Sequence, residues 1–288
     1  MEKCFECPRA CGADRVIKTG RCGVKNEFML ARADLHMWEE PCISGEKGSG
    51  AVFFSGCNLG CVFCQNRSIS NGRQGRYVSK NRLREIFFEL IEKGAENINL
   101  VTPTHYTAEL APLLYDIPVP VVWNSSAYEN VDSLRLLENK VDIFLPDFKF
   151  AFSETAKKYA SAPDYPEKAK AAIIEMFRQR GKYVIKNGKM QSGVIIRHLI
   201  LPENLQNTYS VIDWVADNFK KGDVLFSLMS QYTPYVQAPF PELNRRITKK
   251  EYILARNYML KRGIDEGFVQ ELSSAKEEYT PAFDLTGV

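Results

Sequence analysis

Between residues 51 and 270 short, unbroken apolar runs alternate with segments whose apolar residues recur every three or four positions. The run at 51–55 (AVFFS) is continuous enough for a buried strand. In 81–93, Leu83, Ile86, Phe87, Leu90 and Ile91 fall at helical spacing, and Gly94 follows as a stop. Further strands are expected at 97–102, 120–124, 141–145, 194–201 and 223–228, with a last short one at 267–270. The matching helices are 107–115, 131–137, 166–180, 209–219 and 248–262. Thr248, with Glu251 three residues on, reads as a capping box for the last of these. Residues 182–192 read as an exposed turn rich in glycine and lysine, and residues 1–45 show little apolar periodicity.

Six or so strand–helix units with unbroken apolar strands predict a parallel sheet covered by helices, an α/β fold. The pattern fits both an open doubly wound sheet and a partial barrel. In either, chemistry belongs at the C-terminal ends of the strands. Here those ends are 57–64, 102–106, 124–128, 146–149, 202–204 and 229–232. The expected division is a Cys-rich, metal- or cluster-binding extension over 1–45 and a catalytic α/β domain over 46–288.

Composition narrows the function. A net charge of +3 over 288 residues is near balance, whereas a protein that tracks nucleic-acid phosphates is dominated by basic residues. No apolar run is long enough to span a bilayer, and residues 1–6 (MEKCFE) do not open a secretory signal. The expectation is a cytoplasmic protein with neither nucleic acid nor membrane as partner. All eight cysteines lie within the first 64 residues. Because cytosolic thiols stay reduced, that skew points to metal or iron–sulfur chemistry rather than disulfides.

Cys57, Cys61 and Cys64 stand in the spacing C-x3-C-x2-C directly after the first strand. Thiolates are soft ligands for zinc, copper(I) and iron–sulfur clusters. Three of them cap three irons of a cubane and leave the fourth iron open to a small molecule. With Phe63 just before the last cysteine, the loop resembles the radical S-adenosylmethionine (radical SAM) motif. That resemblance implies a partial (β/α)6 barrel and a [4Fe-4S] cluster whose open iron binds S-adenosylmethionine. It further implies reductive cleavage to a 5′-deoxyadenosyl radical that abstracts hydrogen, with Phe63 beside the adenine and an external electron donor such as flavodoxin or ferredoxin.

Most of the chain is similar to one branch, the pyruvate formate-lyase-activating-enzyme-like proteins. Residues 141–149 (VDIFLPDFK) resemble a strand of those enzymes ending in Asp-x-Lys, which places Asp147 and Lys149 near the cofactor and substrate. Two apart on a strand, they share a face. Arg197 in 194–202 (VIIRHLILP) matches a basic residue of a later strand, and a charge inside an apolar strand needs a partner in any case. His198 alternates to the other face and reads as a packing residue. Where those enzymes carry Gly-Gly-Glu, this chain has Thr102, Pro103 and Thr104, whose oxygens could accept the cofactor's ammonium. Where they carry an Asp-Thr-Asn-Gly-like turn, it has Asn124 and residues 125–128. The implied substrate is a protein or peptide; a small metabolite is the alternative within the same chemistry.

Cys4, Cys7, Cys11 and Cys22 form a second set, sufficient for structural zinc or for a closed iron–sulfur cluster. The spacing does not choose between them. A non-catalytic zinc-binding interaction module on an α/β scaffold is the competing reading from outside enzymology. Cys42 reads as a buried small residue, and the loop at 231–235 as a substrate-side wall or a plain turn.

Overall fold

In the computed structural model, which describes residues 3–234, 237–270 and 280–288, the apolar runs join into one sheet. Its strands are β1 (Phe28–His36), β2 (Ser49–Phe54), β3 (Arg76–Val78), β4 (Ile98–Val101) and β5 (Val121–Ser125). They continue with β6 (Ile143–Pro146), β7 (Val184–Lys186), β8 (Lys189–Leu199), β9 (Leu225–Met229) and β10 (Gly267–Val269). The helices are α1 (Pro41–Ser44), α2 (Arg67–Ser70), α3 (Lys80–Glu92), α4 (Thr107–Leu110) and α5 (Val131–Arg135). After them come α6 (Ser153–Ala160), α7 (Tyr165–Arg180), α8 (Leu205–Asn218) and α9 (Lys249–Lys261).

The spatial order is β10-β9-β8-β6-β5-β4-β2-β1-β3, with β7 beside β8. From β2 to β10 along that path every pairing is parallel, as continuous strands joined by helices require. β1 runs antiparallel to β2, and β3 antiparallel to β1. This is the mixed α/β sheet of a partial barrel.

Each central strand has two faces. Trp123, Phe144, Val194, Ile196 and His198 face the covering helices. Their neighbours Val122, Ile143, Leu145, Ile195 and Leu225 face inward and pack a small core around Cys42 and Ile43 of α1. The segment between β1 and β2 therefore plugs the N-terminal end of the barrel. Asn97 anchors it, donating from its Nδ2 to the Ile43 carbonyl at 2.7 Å. Outside, α3 buries Leu83, Ile86, Phe87 and Leu90, and Thr248 closes the expected capping box on α9.

Four departures from the sequence pattern have physical causes. β1 lies within the segment expected to be irregular; Arg32 and Asp34 interrupt its apolar alternation, and the register shifts between Leu30 and Arg32. The 182–192 turn is the tip of the β7–β8 hairpin, where Asn187 and Gly188 both hold positive φ. The helix expected at 107–115 breaks after α4 into a 3-10 turn containing Pro112, which lacks the amide an α-helix needs. α6 was not expected; its apolar face is short, with Ala156, Tyr159 and Ala160 buried.

Candidate functional site

β2 ends at Phe54 and the chain turns into the cysteine loop through Gly56, at φ 85°. A side chain there would stand 2.8 Å from the Cys22 carbonyl, so only glycine allows this approach. Cys57 then donates its amide to that carbonyl at 3.1 Å. Cys57, Cys61 and Cys64 all line one cavity of about 230 Å³ at the C-terminal ends of the strands, and no fourth cysteine lines it among the described residues. Two groups already point at the sulfurs: the Leu59 amide at 3.4 Å from Cys57 Sγ and the Ser70 hydroxyl at 3.3 Å from Cys64 Sγ. Burial raises the Cys57 and Cys61 thiols above their ordinary range, with the Lys149 ammonium opposing it at both. Soft ligands in a partly hydrogen-bonded pocket with the Lys149 ammonium nearby fit a metal–sulfur centre that deprotonates them.

The cavity gathers most of the expected residues. Phe63, Thr102, Asn124, Asp147, Lys149 and Arg197 line it with the cysteines. Phe63 is buried and meets Phe150, Tyr159 and Tyr232 edge-on at centroid distances of 6.0–6.2 Å. Thr102 holds φ 61°, a conformation a β-branched residue rarely takes and glycine takes readily. Thr104 is not brought to the cavity. It opens a 3-10 turn, and its buried hydroxyl donates to Glu129 Oε1 at 3.3 Å. Gln231 lines the cavity and Tyr232 packs on Phe63, while Tyr235 lies outside the described residues.

Beneath the thiols Arg197 is the hub of a buried ion network. Its Nε donates to Asp147 Oδ1 at 2.7 Å, its Nη1 to Glu39 Oε2 at 2.9 Å and its Nη2 to Asn124 Oδ1 at 2.7 Å. Lys149 Nζ meets the other Asp147 oxygen at 2.7 Å. Burial alone would raise the Asp147 carboxyl, but Arg197 and Lys149 outweigh it and hold the group ionised. Glu39 Oε1 accepts from the side-chain amides of Asn99 and Asn124, both at 3.1 Å. Glu40 is 5% exposed and 3.8 Å from Arg197; burial raises its carboxyl above the usual range.

Glu39 and Glu40 were not singled out in the sequence. The only signal was indirect: a buried Arg197 demands acids, without saying which. His198 behaves as expected, fully buried with its ring nitrogens 2.7 Å from the Phe148 carbonyl and 3.0 Å from Thr208 Oγ1.

The N-terminal cysteines lie outside this cavity, close to the loop that forms it. The Cys22 and Cys11 sulfurs both lie against Gly20, 3.3 and 3.6 Å from where its side chain would begin. Burial pushes the Cys7 thiol up to about 12, with Cys22 and Cys4 adding repulsion. Among the described residues no three Cys, His, Asp or Glu side chains are already arranged to hold one metal ion.

Known proteins place this arrangement. The family profile of the Radical SAM superfamily matches residues 51–215, the span from β2 into α8. The uncharacterized protein MJ0674 of Methanocaldococcus jannaschii is 32% identical over 263 residues, covering 87% of this chain and 72% of that protein. The crystal structure of Streptococcus suis SuiB bound to precursor peptide SuiA superposes with a TM-score of 0.52 at 14% identity. It covers 77% of this chain and 48% of that one. SuiB bound to S-adenosylmethionine gives 0.51 at 13% identity, covering 79% of this chain and 51% of that one. This chain thus spans about half the length of those structures, and the likeness is one of fold. With its three-cysteine loop at the mouth of a partial barrel and a family profile covering that barrel, the chain belongs to the radical SAM superfamily.

Proposed function

We propose that the chain cleaves S-adenosylmethionine reductively and abstracts a hydrogen atom from a protein or peptide, in the manner of the pyruvate formate-lyase-activating-enzyme-like branch. Membership of the superfamily carries the [4Fe-4S] cluster and S-adenosylmethionine with it. The observation that carries the reading is the loop: three buried or half-buried thiols line one cavity without a fourth cysteine. A bound cluster would supply the single electron that reductive cleavage of S-adenosylmethionine to methionine and a 5′-deoxyadenosyl radical requires.

The chain's own residues prepare the rest. Cys57, Cys61 and Cys64 hold the cluster, and Lys149 offsets the thiolate charge nearest it. Phe63 walls the cofactor's side, with Thr102 and Asn124 offering oxygens to it. Asp147, Arg197 and Glu39 form a polar floor whose groups are already oriented by one another, so binding need not reorganise them. A peptide substrate is supported by the fold shared with SuiB, which was captured with a precursor peptide. Cys4, Cys7, Cys11 and Cys22 would take zinc or a second cluster, and an external flavodoxin or ferredoxin would supply the electron in a reducing, cytoplasmic setting.

Anaerobically reconstituted protein with a strong reductant should form 5′-deoxyadenosine from S-adenosylmethionine. Deuterium carried into it from a labelled candidate peptide would establish the substrate class, and transfer from a labelled metabolite instead would shift the reading to small-molecule chemistry. Zinc without iron or sulfide in the purified protein would overturn the enzymatic reading.

A further inference from the structure

The cysteine loop is held close at its start, where Gly56 packs on the Cys22 carbonyl, but is open at Gly60, at φ 71°, whose missing side chain would meet nothing within 4 Å. Such a loop does not hold its sulfurs at a fixed spacing unless something outside it does. Arg9 stands at that point. It lies in a turn closed by the Ala10 amide on the Cys7 carbonyl at 3.0 Å. Its guanidinium makes four hydrogen bonds, all to backbone carbonyls. Nε reaches Asn58 at 2.7 Å and Nη2 reaches Leu59 at 2.8 Å, both between the first two cysteines of the loop. Nη2 also reaches Ala160 at 2.8 Å and Nη1 reaches Ser161 at 2.5 Å, at the C-terminal end of α6.

That geometry suits arginine specifically. A planar fork serves several acceptors at once, whereas an ammonium is a point charge. Helix C-terminal carbonyls carry the negative end of the dipole, so a cation there is favoured. No ion pair with a carboxylate competes for Arg9 among the described residues, and the Tyr128 ring lies 5.2 Å beneath its guanidinium. Asn58 also donates its side-chain amide to the Tyr128 carbonyl at 2.7 Å. On the far side of Cys61 the Val62 amide bonds the Tyr159 carbonyl at 2.9 Å. The loop is thus tied to α6 on both sides of Cys61, directly by Val62 and through Arg9 by Asn58 and Leu59.

We propose that Arg9 is a positioning residue of the cluster site, pinning the Asn58–Leu59 turn to the end of α6 so that Cys57 and Cys61 stand ready for the cluster. This role rests on the assignment of Cys57, Cys61 and Cys64 as cluster ligands and makes the N-terminal segment a working part of the barrel's site.

Arg84 provides the control: it also caps backbone carbonyls, those of Leu113 and Tyr115 at 2.8 and 3.0 Å, far along the chain from the loop. The experiment compares wild type, Arg9→Ala, Arg9→Lys and Arg84→Ala in two measurements. In cluster-free protein, amides of the 58–62 stretch should exchange with deuterium about tenfold faster in Arg9→Ala, with Arg9→Lys between and Arg84→Ala unchanged there. After reconstitution, Arg9→Ala should retain less iron and give a broadened paramagnetic signal, partly restored in Arg9→Lys. Should Arg9→Ala fail to fold, Arg9→Lys against Arg84→Ala decides the matter by the same readouts. Wild-type exchange and signal in both Arg9 variants would overturn the proposal, as would an equal effect from Arg84→Ala. A wild-type protein that takes up no iron would instead refute the cluster reading itself, and the exchange data would still report whether Arg9 holds the loop.

Discussion

Along three strands the inner face of the barrel changes character within two residues. Val122, Leu145 and Ile195 pack the apolar plug with Cys42 and Ile43, whereas Asn124, Asp147 and Arg197, next on the same face, belong to the ion network. The lower layer is buried and apolar and needs only shape and hydrophobicity. The upper layer holds charges that are tolerable only because they are paired, and it opens onto three thiols. The same strands thus separate stability from chemistry, and each half can be disturbed alone.

The largest effect is expected at the top. Cys61→Ala removes one of the three proposed ligands, so iron uptake and 5′-deoxyadenosine formation should fall to background while thermal unfolding changes little. Unaltered S-adenosylmethionine cleavage would erase the functional half of the contrast. Arg197→Ala strands Asp147 and Glu39 without their shared cation, and should cost about 3–5 kcal/mol in denaturant unfolding. A loss near that of an exposed pair would mean the layer is wetter than its burial implies. At the bottom, Ile43→Ala leaves a cavity in the plug and should cost about 2–4 kcal/mol, with the paramagnetic signal of the reconstituted protein unchanged.

The smallest effect concerns the outer face. Burial lowers His198 from 6.5 to about 4, so as pH falls the unfolded chain takes up its proton first. The stability this group contributes is present above pH 6.5 and drains away as pH approaches 4, reaching a loss of about 2 kcal/mol at pH 5. His198→Gln should therefore flatten the acid side of the stability profile by about that much. An acid limb identical to wild type would show that His198 does not carry it.

The parts of this molecule that were legible in the sequence are those whose signal is local. The parallel strands are unbroken apolar runs, and the loop that lines the cavity carries its three cysteines within eight residues. β1 was hidden because Arg32 and Asp34 pair with each other and break its alternation. Thr104 was expected at the cavity with the rest of the strand end, but a 3-10 turn after β4 carries it to Glu129. Glu39 and Arg9 were invisible for a different reason. Their partners lie 158 and up to 152 residues away, and nothing in either residue's neighbourhood announces the meeting. Arg197 declared that an acid was needed; only the fold could supply its name.

The most direct test of the account is the electron-paramagnetic spectrum of anaerobically reconstituted, reduced protein, recorded before and after S-adenosylmethionine is added. The proposed three thiol ligands and open iron predict an iron–sulfur signal that shifts on addition, with Cys61→Ala showing none. A signal indifferent to S-adenosylmethionine, or a protein that binds zinc and no iron, would contradict it.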